Sequence, residues 1–229
     1  MKFIDSIRPQ KNRDNFIFEQ IKSIKVGESI LDAGAGSQRY RIFCENLKYY
    51  SQDFGKYTTD EKKTIAGDGV GGKNGYLYGA LDYIGNVWKI DEKDEFFDNI
   101  LCTEVFEHIP YPIETIKEFA RLLKKGGKLI LTVPSNCARH MDPFYYYSGF
   151  SDRWLEMILS ENNFHNIKII PVGDYYRWML LETIKNIRAP GIFSKIALLP
   201  SLVYFYLKKP TKESIDTICI GYHVTAEKK

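Results

Sequence analysis

Apolar and polar positions fall in blocks along the chain, and the blocks change period. Ile30 and Leu31 end a short apolar run that closes on Asp32, the pattern of a buried strand. Tyr40, Phe43, Cys44 and Leu47 follow at i, i+3, i+4 and i+7, which predicts one apolar face of a helix. Lys48–Asp53 predicts a second strand ending in an acid, Leu81–Ile90 a short third strand with its turn, and Phe97–Cys102 a fourth. Ile113, Ile116, Phe119, Ala120 and Leu123 predict the inward face of a helix that starts after Pro110 and Pro112 and ends at Gly126-Gly127. Lys128–Val133 predicts the fifth strand and Phe164–Val172 the sixth; Ser214–Thr225 predicts the seventh. Between the fifth and sixth, Trp154, Leu155, Ile158 and Leu159 form a helix face opened by Ser151. Upstream, Phe16, Ile17, Ile21 and Ile24 place a helix over Asn15–Ile24 that packs across the first strand. Strands alternating with helical stretches predict an α/β sheet.

Two segments interrupt this rhythm. Gly55–Ala80 carries six glycines from Gly67 to Gly79 among lysines and aspartates and has no period. It reads as an insertion beside a ligand site or as a surface loop without function. Tyr175–Lys209 is long where a short link would suffice, and its longest uncharged run, Ile196–Leu207, has 12 residues with Pro200 inside. A span needs about 20 apolar residues, so crossing a membrane is not expected. Two readings stay open: a pair of helices that caps a pocket or buries a dimer surface, and an interfacial helix. Phe193, Tyr204 and Phe205 beside Lys195, Lys208 and Lys209 suit a headgroup boundary, so a peripheral membrane contact through 190–209 is one expectation and a homodimer another.

Bulk properties narrow the class. At 229 residues, 44% hydrophobic and 27% charged, the chain suits one globular domain over 1–229 carrying the insertions 55–80 and 175–209. A net charge of +3 is too small and too dispersed to suggest nucleic acid. Cys44, Cys102, Cys137 and Cys219 form no C-x-x-C pair, which argues against a zinc site or a disulfide framework and suits a reducing cytoplasm. Met1–Arg8 holds no apolar core of signal-peptide length.

The candidate chemistry starts at Ser29–Tyr40, S-I-L-D-A-G-A-G-S-Q-R-Y. A strand, a turn with Gly34 and Gly36 and a helix would offer bare backbone and free N–H groups to a ligand. A dinucleotide turn needs a third glycine where this chain has Arg39, and the Walker Lys-Ser/Thr pair is absent. NAD is therefore disfavoured, and the turn suits a ligand without a diphosphate, such as the zwitterionic end of S-adenosylmethionine (SAM). Asp53 lies 21 residues after Asp32, close to the ~20-residue interval at which an acid meets a ribose diol; Phe54 beside it can cover one face of an adenine ring. Thr103 and Glu104 end the fourth strand, where ligands of open α/β sheets bind. Trp88 reads as a core residue or an adenine platform.

With these stretches, F-F-D-N-I-L-C-T-E-V-F-E-H-I-P (Phe96–Pro110) and A-R-L-L-K-K-G-G-K-L-I-L-T-V-P (Ala120–Pro134), the chain resembles the class I SAM-dependent methyltransferases. The resemblance implies a Rossmann-like, doubly wound seven-stranded sheet, mostly parallel with an antiparallel C-terminal strand and helices on both faces. It implies SAM as cofactor, held by Asp32, Gly34, Gly36, Asp53, Phe54, Thr103 and Glu104. Where the family carries an acid for the adenine amine this chain has Asn86, followed by Val87 for the ring nitrogen; an amide oxygen can accept that bond without charge. Glu107-His108 would lie near the sulfonium, His108 as a base or as part of a loop-holding pair.

The loop Ser135–Ser148 should cover the active site. A subgroup of the family carries a histidine and a tyrosine run there before a G-F pair, here Gly149-Phe150. His140 is the first candidate for a base and His108 the second; Asp142, Tyr145, Tyr146 and Tyr147 are candidates for the acceptor site, and Phe144–Tyr147 could stack on a sugar face. Methyl transfer from a sulfonium is an in-line displacement that needs alignment and water exclusion, so no metal is expected. The expected activity is O-methylation of a sugar or small metabolite. A lipid-linked acceptor and a SAM-binding domain without catalysis are the alternatives.

Overall fold

The computed structural model describes residues 9–56, 78–187 and 191–229. All but the ends of the predicted glycine-rich insertion 55–80 therefore lies outside the described residues. Helix α1 (Pro9–Lys22) precedes β1 (Ser29–Ala33), β2 (Lys48–Asp53), β3 (Tyr83–Ile84) and β4 (Phe97–Thr103). Then come α2 (Pro112–Leu122), β5 (Leu123–Pro134), α3 (Asp152–Glu161), β6 (Phe164–Val172), α4 (Tyr175–Ile187), α5 (Ile192–Leu207), α6 (Lys212–Thr217) and β7 (Gly221–Lys228). The strands form one sheet in the order β3-β2-β1-β4-β5-β7-β6, parallel except for β7, which runs antiparallel to both neighbours.

Alternation along the central strands supplies both cores. Ile30, Leu101 and Ile130 point to one face and meet Ile17 and Ile21 of α1 with Tyr40 and Cys44. Leu31, Ile100, Leu129 and Leu131 point to the other and meet Ile116 and Phe119 of α2 and Leu155 and Leu159 of α3. A period of two sends neighbours to opposite faces, which is why near-continuous apolar runs mark these strands. The sheet is thus covered on both sides, and its strand ends are left to build a site.

Several expected elements differ. The helix predicted from Tyr40, Phe43, Cys44 and Leu47 is absent; a single 3-10 turn, Arg41–Phe43, stands there. Gln38 takes a φ of 58° and buries its side chain against Ala80 O, so no helix propagates from the glycine turn. Tyr40 and Cys44 still reach the core, through that turn. The third strand has only two residues. Helix α2 ends at Leu122 because Leu123 is already extended, with Ile113 left outward; Gly126-Gly127 fall instead within β5, where the pairing with β4 jumps from Phe97–Leu123 to Asn99–Lys128. Ser214 belongs to α6, not to the last strand: Thr211 and Ser214 form a reciprocal capping box that starts a helix there. Tyr175–Lys209 does form two helices, α4 and α5. Among the described residues no helix is long and apolar enough to cross a membrane.

Candidate functional site

The carboxyl ends of β1 to β5 surround a cavity of about 220 Å³. Strand β1 contributes Gly34; β2 contributes Gln52, Asp53 and Phe54; the turn after β3 contributes Gly85–Trp88. The connection after β4 brings Glu104, Val105 and His108–Pro110, and the loop after β5 closes the space with Met141, Phe144 and Tyr146.

Gly34 is required at its position. Its φ is +76°, and a Cβ built there would lie 2.3 Å from Val105 Cγ2. The turn it opens is clipped to β2: the Gly34 and Ala35 N–H groups donate to Gln52 O at 2.9 and 2.8 Å, and the Gly36 N–H to Asp53 Oδ2 at 2.9 Å. The sequence reading expected those N–H groups to be free at a helix N-terminus. They are spent inside the protein, and with the helix missing the turn offers close approach rather than donors.

Asp53 is the best-supported group on this side. Its Oδ1 accepts from the Gly55 N–H at 3.1 Å. Burial pushes its carboxyl up, while the N–H groups of Gly55, Gly36 and Phe54 and the Tyr78 side chain pull it back. Asp32 lies behind this wall, buried, with Tyr49 Oη donating to it at 2.7 Å; burial raises its pKa to about 7. Gly36 and Thr103 also stand outside the lining, Thr103 in register with Thr132. Asn86, Val87, Phe54 and Glu104, expected from the sequence as cofactor contacts, line the cavity.

Glu104 adopts a φ of 51° and is held by two partners, Arg13 at 3.0 Å and the Thr132 hydroxyl at 2.9 Å. Arg13 ties the first turns of α1 to the end of β4. Behind it His223 stacks on Phe16 at 4.4 Å, and burial lowers its pKa to about 4.

On the other side the loop after β5 hangs from the short connection after β4. The Glu107 carbonyl accepts from the Tyr146 and Tyr147 N–H groups, and His108 Nδ1 donates to Phe144 O at 2.7 Å. Phe144 meets Phe54 edge-on at 4.8 Å, joining the two walls. His140 lies edge-on to His108 at 4.6 Å and donates from Nδ1 to Ala138 O at 2.8 Å. A carbonyl only accepts, so both rings carry their proton on Nδ1 and keep Nε2 as the basic nitrogen. Glu107 is buried, and burial with the nearby Glu104 raises its pKa well above the usual carboxyl range.

The four expected acceptor residues separate here. Only Tyr146 lines the cavity. Tyr145 Oη donates to Cys137 O, Tyr147 Oη to Pro110 O, and Asp142 is taken by Arg139 Nε at 2.8 and 3.0 Å. These three shape the loop rather than the cavity. Sequence reasoning missed Gln52, whose amide donates to Gly85 O, and Val105, Met141 and Arg13. Gln52 was within reach, as the neighbour of Asp53 at a strand end. Arg13 was not, because nothing local marks its partner.

A family model described as "Methyltransferase domain" matches residues 5–183. A curated relative, the ubiquinone biosynthesis O-methyltransferase of Aliivibrio fischeri, is 24% identical over 163 residues, 69% of this chain and 64% of its own. Among solved structures, phosphoethanolamine N-methyltransferase 2 of Haemonchus contortus, determined with S-adenosyl-L-methionine, aligns at a TM-score of 0.57 and 16% identity over 95% of this chain and 52% of its own. A candidate methyltransferase of Bacillus halodurans aligns at 0.51 and 18% identity, over 92% and 96%. The chain thus spans about half of the one and under two thirds of the curated relative. At these identities the structural likeness speaks for the fold.

Proposed function

Since the chain belongs to the class I SAM-dependent methyltransferases, we propose that it moves a methyl group from S-adenosyl-L-methionine to a hydroxyl of a small molecule or sugar. The observation that carries this is the ring of strand ends in which Gly34 has no room for a Cβ and a buried Asp53 faces the same cavity. The residues of this wall suit the cofactor: Asp53 would accept from the ribose hydroxyls, Asn86 and the Val87 N–H would meet the adenine edge, and Phe54 and Trp88 would supply apolar surface. When bound, it supplies an electrophilic methyl group on a sulfonium. The edge-on Phe54–Phe144 contact would help shield a bound methyl donor from water. His140, with His108 behind it, receives the acceptor proton at Nε2, since Nδ1–H is held by Ala138 O in the one and Phe144 O in the other. The exposed ring of Tyr146 offers a face for a sugar.

The test is calorimetry with SAM and its demethylated product, followed by a screen in which labelled methyl is traced into sugars and nucleotide sugars. Micromolar binding that Asp53→Ala weakens, with label recovered in an acceptor, is the expected result. Absence of binding overturns the reading, and binding without transfer to any acceptor leaves a SAM-binding domain.

A lipid-linked acceptor is the second reading, and α5 is the observation that favours it. Phe193 is 85% and Leu207 69% exposed, and Ile192, Ile196, Leu199 and Val203 stand out beside them. Lys195, Lys208, Lys209 and Lys212 accompany this face, with no acid between Glu182 and Glu213. Such a helix suits an anionic bilayer surface. A two-fold antiparallel pairing with a second copy would bring its basic ends together without a counter-charge. Vesicles containing phosphatidylglycerol should sediment the chain, phosphatidylcholine alone should not, and Phe193→Glu with Leu199→Glu should abolish it. Equal recovery with both lipids, or a dimer that the same substitutions split, rejects the membrane contact.

A further inference from the structure

Three side chains meet beside the cavity, which His108 lines and Glu107 and His140 flank, in a way that proton transfer alone does not explain. Glu107, His108 and His140 each present one ligating atom, and the three atoms lie within 4.8 Å of one another. Glu107 is 1% exposed, and its Oε2 has no hydrogen-bond partner among the described residues. A buried carboxylate oxygen without a donor is costly unless a positive group comes to it. The nearby cation, Arg13, is paired with Glu104 at 3.0 Å.

The two imidazoles are prepared in the same manner. Each fixes Nδ1–H on a backbone carbonyl, Phe144 O for His108 and Ala138 O for His140. That outer bond sets the tautomer and turns Nε2 into the ligating nitrogen, as is usual for metal-bound histidine. His108 Nε2 already lies 3.7 Å from Glu107 Oε1. Two nitrogens and one carboxylate beside a cavity make a three-ligand set with positions left for an oxygen of the substrate. The nitrogen-rich set suits a first-row transition metal better than Mg²⁺ or Ca²⁺.

We infer that Glu107, His108 and His140 bind one divalent transition-metal ion at the acceptor end of the cavity. This departs from the metal-free expectation drawn from the sequence. The binding stands on the three side chains alone; its use rests on the methyl-transfer reading. In that use the ion would take over from the free Nε2 base described above: it would ligate the acceptor hydroxyl and lower its pKa, and the proton would leave to solvent. The oxygen forms its bond to the methyl carbon as the C–S bond breaks, and the sulfonium departs as a neutral thioether. No oxidation state changes.

The experiment uses the full chain dialysed against a chelator and then against buffer. Mn²⁺ is titrated with the free ion followed by electron paramagnetic resonance, and Zn²⁺ by calorimetry. One ion per chain is expected, with binding at least tenfold weaker in His140→Ala and in Glu107→Gln. His140 lies in an irregular loop, so His140→Ala should keep the wild-type circular-dichroism melt and remain interpretable if Glu107→Gln does not fold. Failure to bind at one ion per chain, or equal binding by His140→Ala, overturns the inference and leaves an adventitious ion only. SAM binding measured on the chelator-treated chain separates the two ideas: its loss sinks the methyl-transfer reading and leaves the metal titration to judge the site.

Discussion

The two ends of the cavity are built by different means. At the donor end, Gly34, Asp53 and Glu104 are the last residues of strands or sit directly after them, and the sheet ladder fixes each one. At the acceptor end, residues 135–148 form no helix or strand and are pinned by a few bonds to the Glu107 carbonyl, the Pro110 carbonyl and the His108 ring. A ligand that all members of a fold share can be held by the sheet itself. A substrate that varies is better met by a loop whose length and side chains can change without disturbing the ladder. The sharpest ways to test this division are substitutions that should affect one end and spare the other.

The largest effect is expected from His140→Ala. Loss of a group that handles the acceptor proton should lower kcat by about a hundredfold to ten-thousandfold, while affinity for SAM stays within twofold. Comparing single-turnover rates with calorimetry on the same preparation checks it. Near-normal turnover at every pH would remove His140 from the reaction, and a parallel loss of SAM affinity would erase the division between the ends.

Gly34→Ala comes next and should do the opposite. A methyl group 2.3 Å from Val105 Cγ2, at a φ of +76°, forces the turn or the connection after β4 to move. Affinity for the demethylated product should fall about a hundredfold, roughly the effect of 2–3 kcal/mol of strain at one residue. Should the variant bind normally, the close approach at Gly34 serves packing and not the ligand.

How much of this was legible follows the same line. The strands, their order along the chain and the cavity-lining positions Gly34, Asp53, Phe54 and Asn86 could be read because a buried strand announces itself by composition and its last residue has a fixed place in an α/β sheet. The helix after the glycine turn was misread because Tyr40 and Cys44 are buried at helical spacing by a 3-10 turn, and periodicity cannot tell the two apart over so short a stretch. Of the four acceptor residues named from the loop, Tyr146 reaches the cavity while Tyr145, Tyr147 and Asp142 bond within their surroundings. A loop has no period to say which side chain turns inward. Arg13 and Glu104 are paired across 91 residues, and no local pattern encodes such a contact.

A medium effect concerns pH and the wall behind the donor end. His223 packs on Phe16 and faces Glu104 and Arg13; burial holds its pKa at about 4 against an ordinary 6.5. The unfolded chain therefore binds more protons between those values. The stability that His223 confers is full above pH 6.5 and is lost as pH falls toward 4, by up to ~3 kcal/mol before screening and relaxation are discounted. Asp32, raised to about 7 by burial, acts in the other sense, since its contribution falls as pH rises from 3.8 to 7. The two oppose each other over most of this window. In His223→Phe only the carboxyl remains, so its melting temperature relative to wild type should rise as pH drops from 6.5 to 4. A constant difference across that range would mean that His223 titrates normally in the fold.

The smallest effect tests the one donor position where this chain departs from the family it resembles. Asn86 lines the cavity beside Val87, and its amide oxygen can accept the adenine amine as a neutral partner. A carboxylate in its place would make the same bond charge-assisted, which is worth roughly 1 kcal/mol more. Asn86→Asp should therefore tighten SAM about fivefold, with no change in kcat, because the gain is equal in ground and transition states. The turn after β3 is the least supported part of the donor wall, as β3 contributes only Tyr83 and Ile84 to the ladder. If the substitution weakens SAM instead, the adenine lies elsewhere and the donor end is less completely fixed by the sheet than its other strand ends suggest.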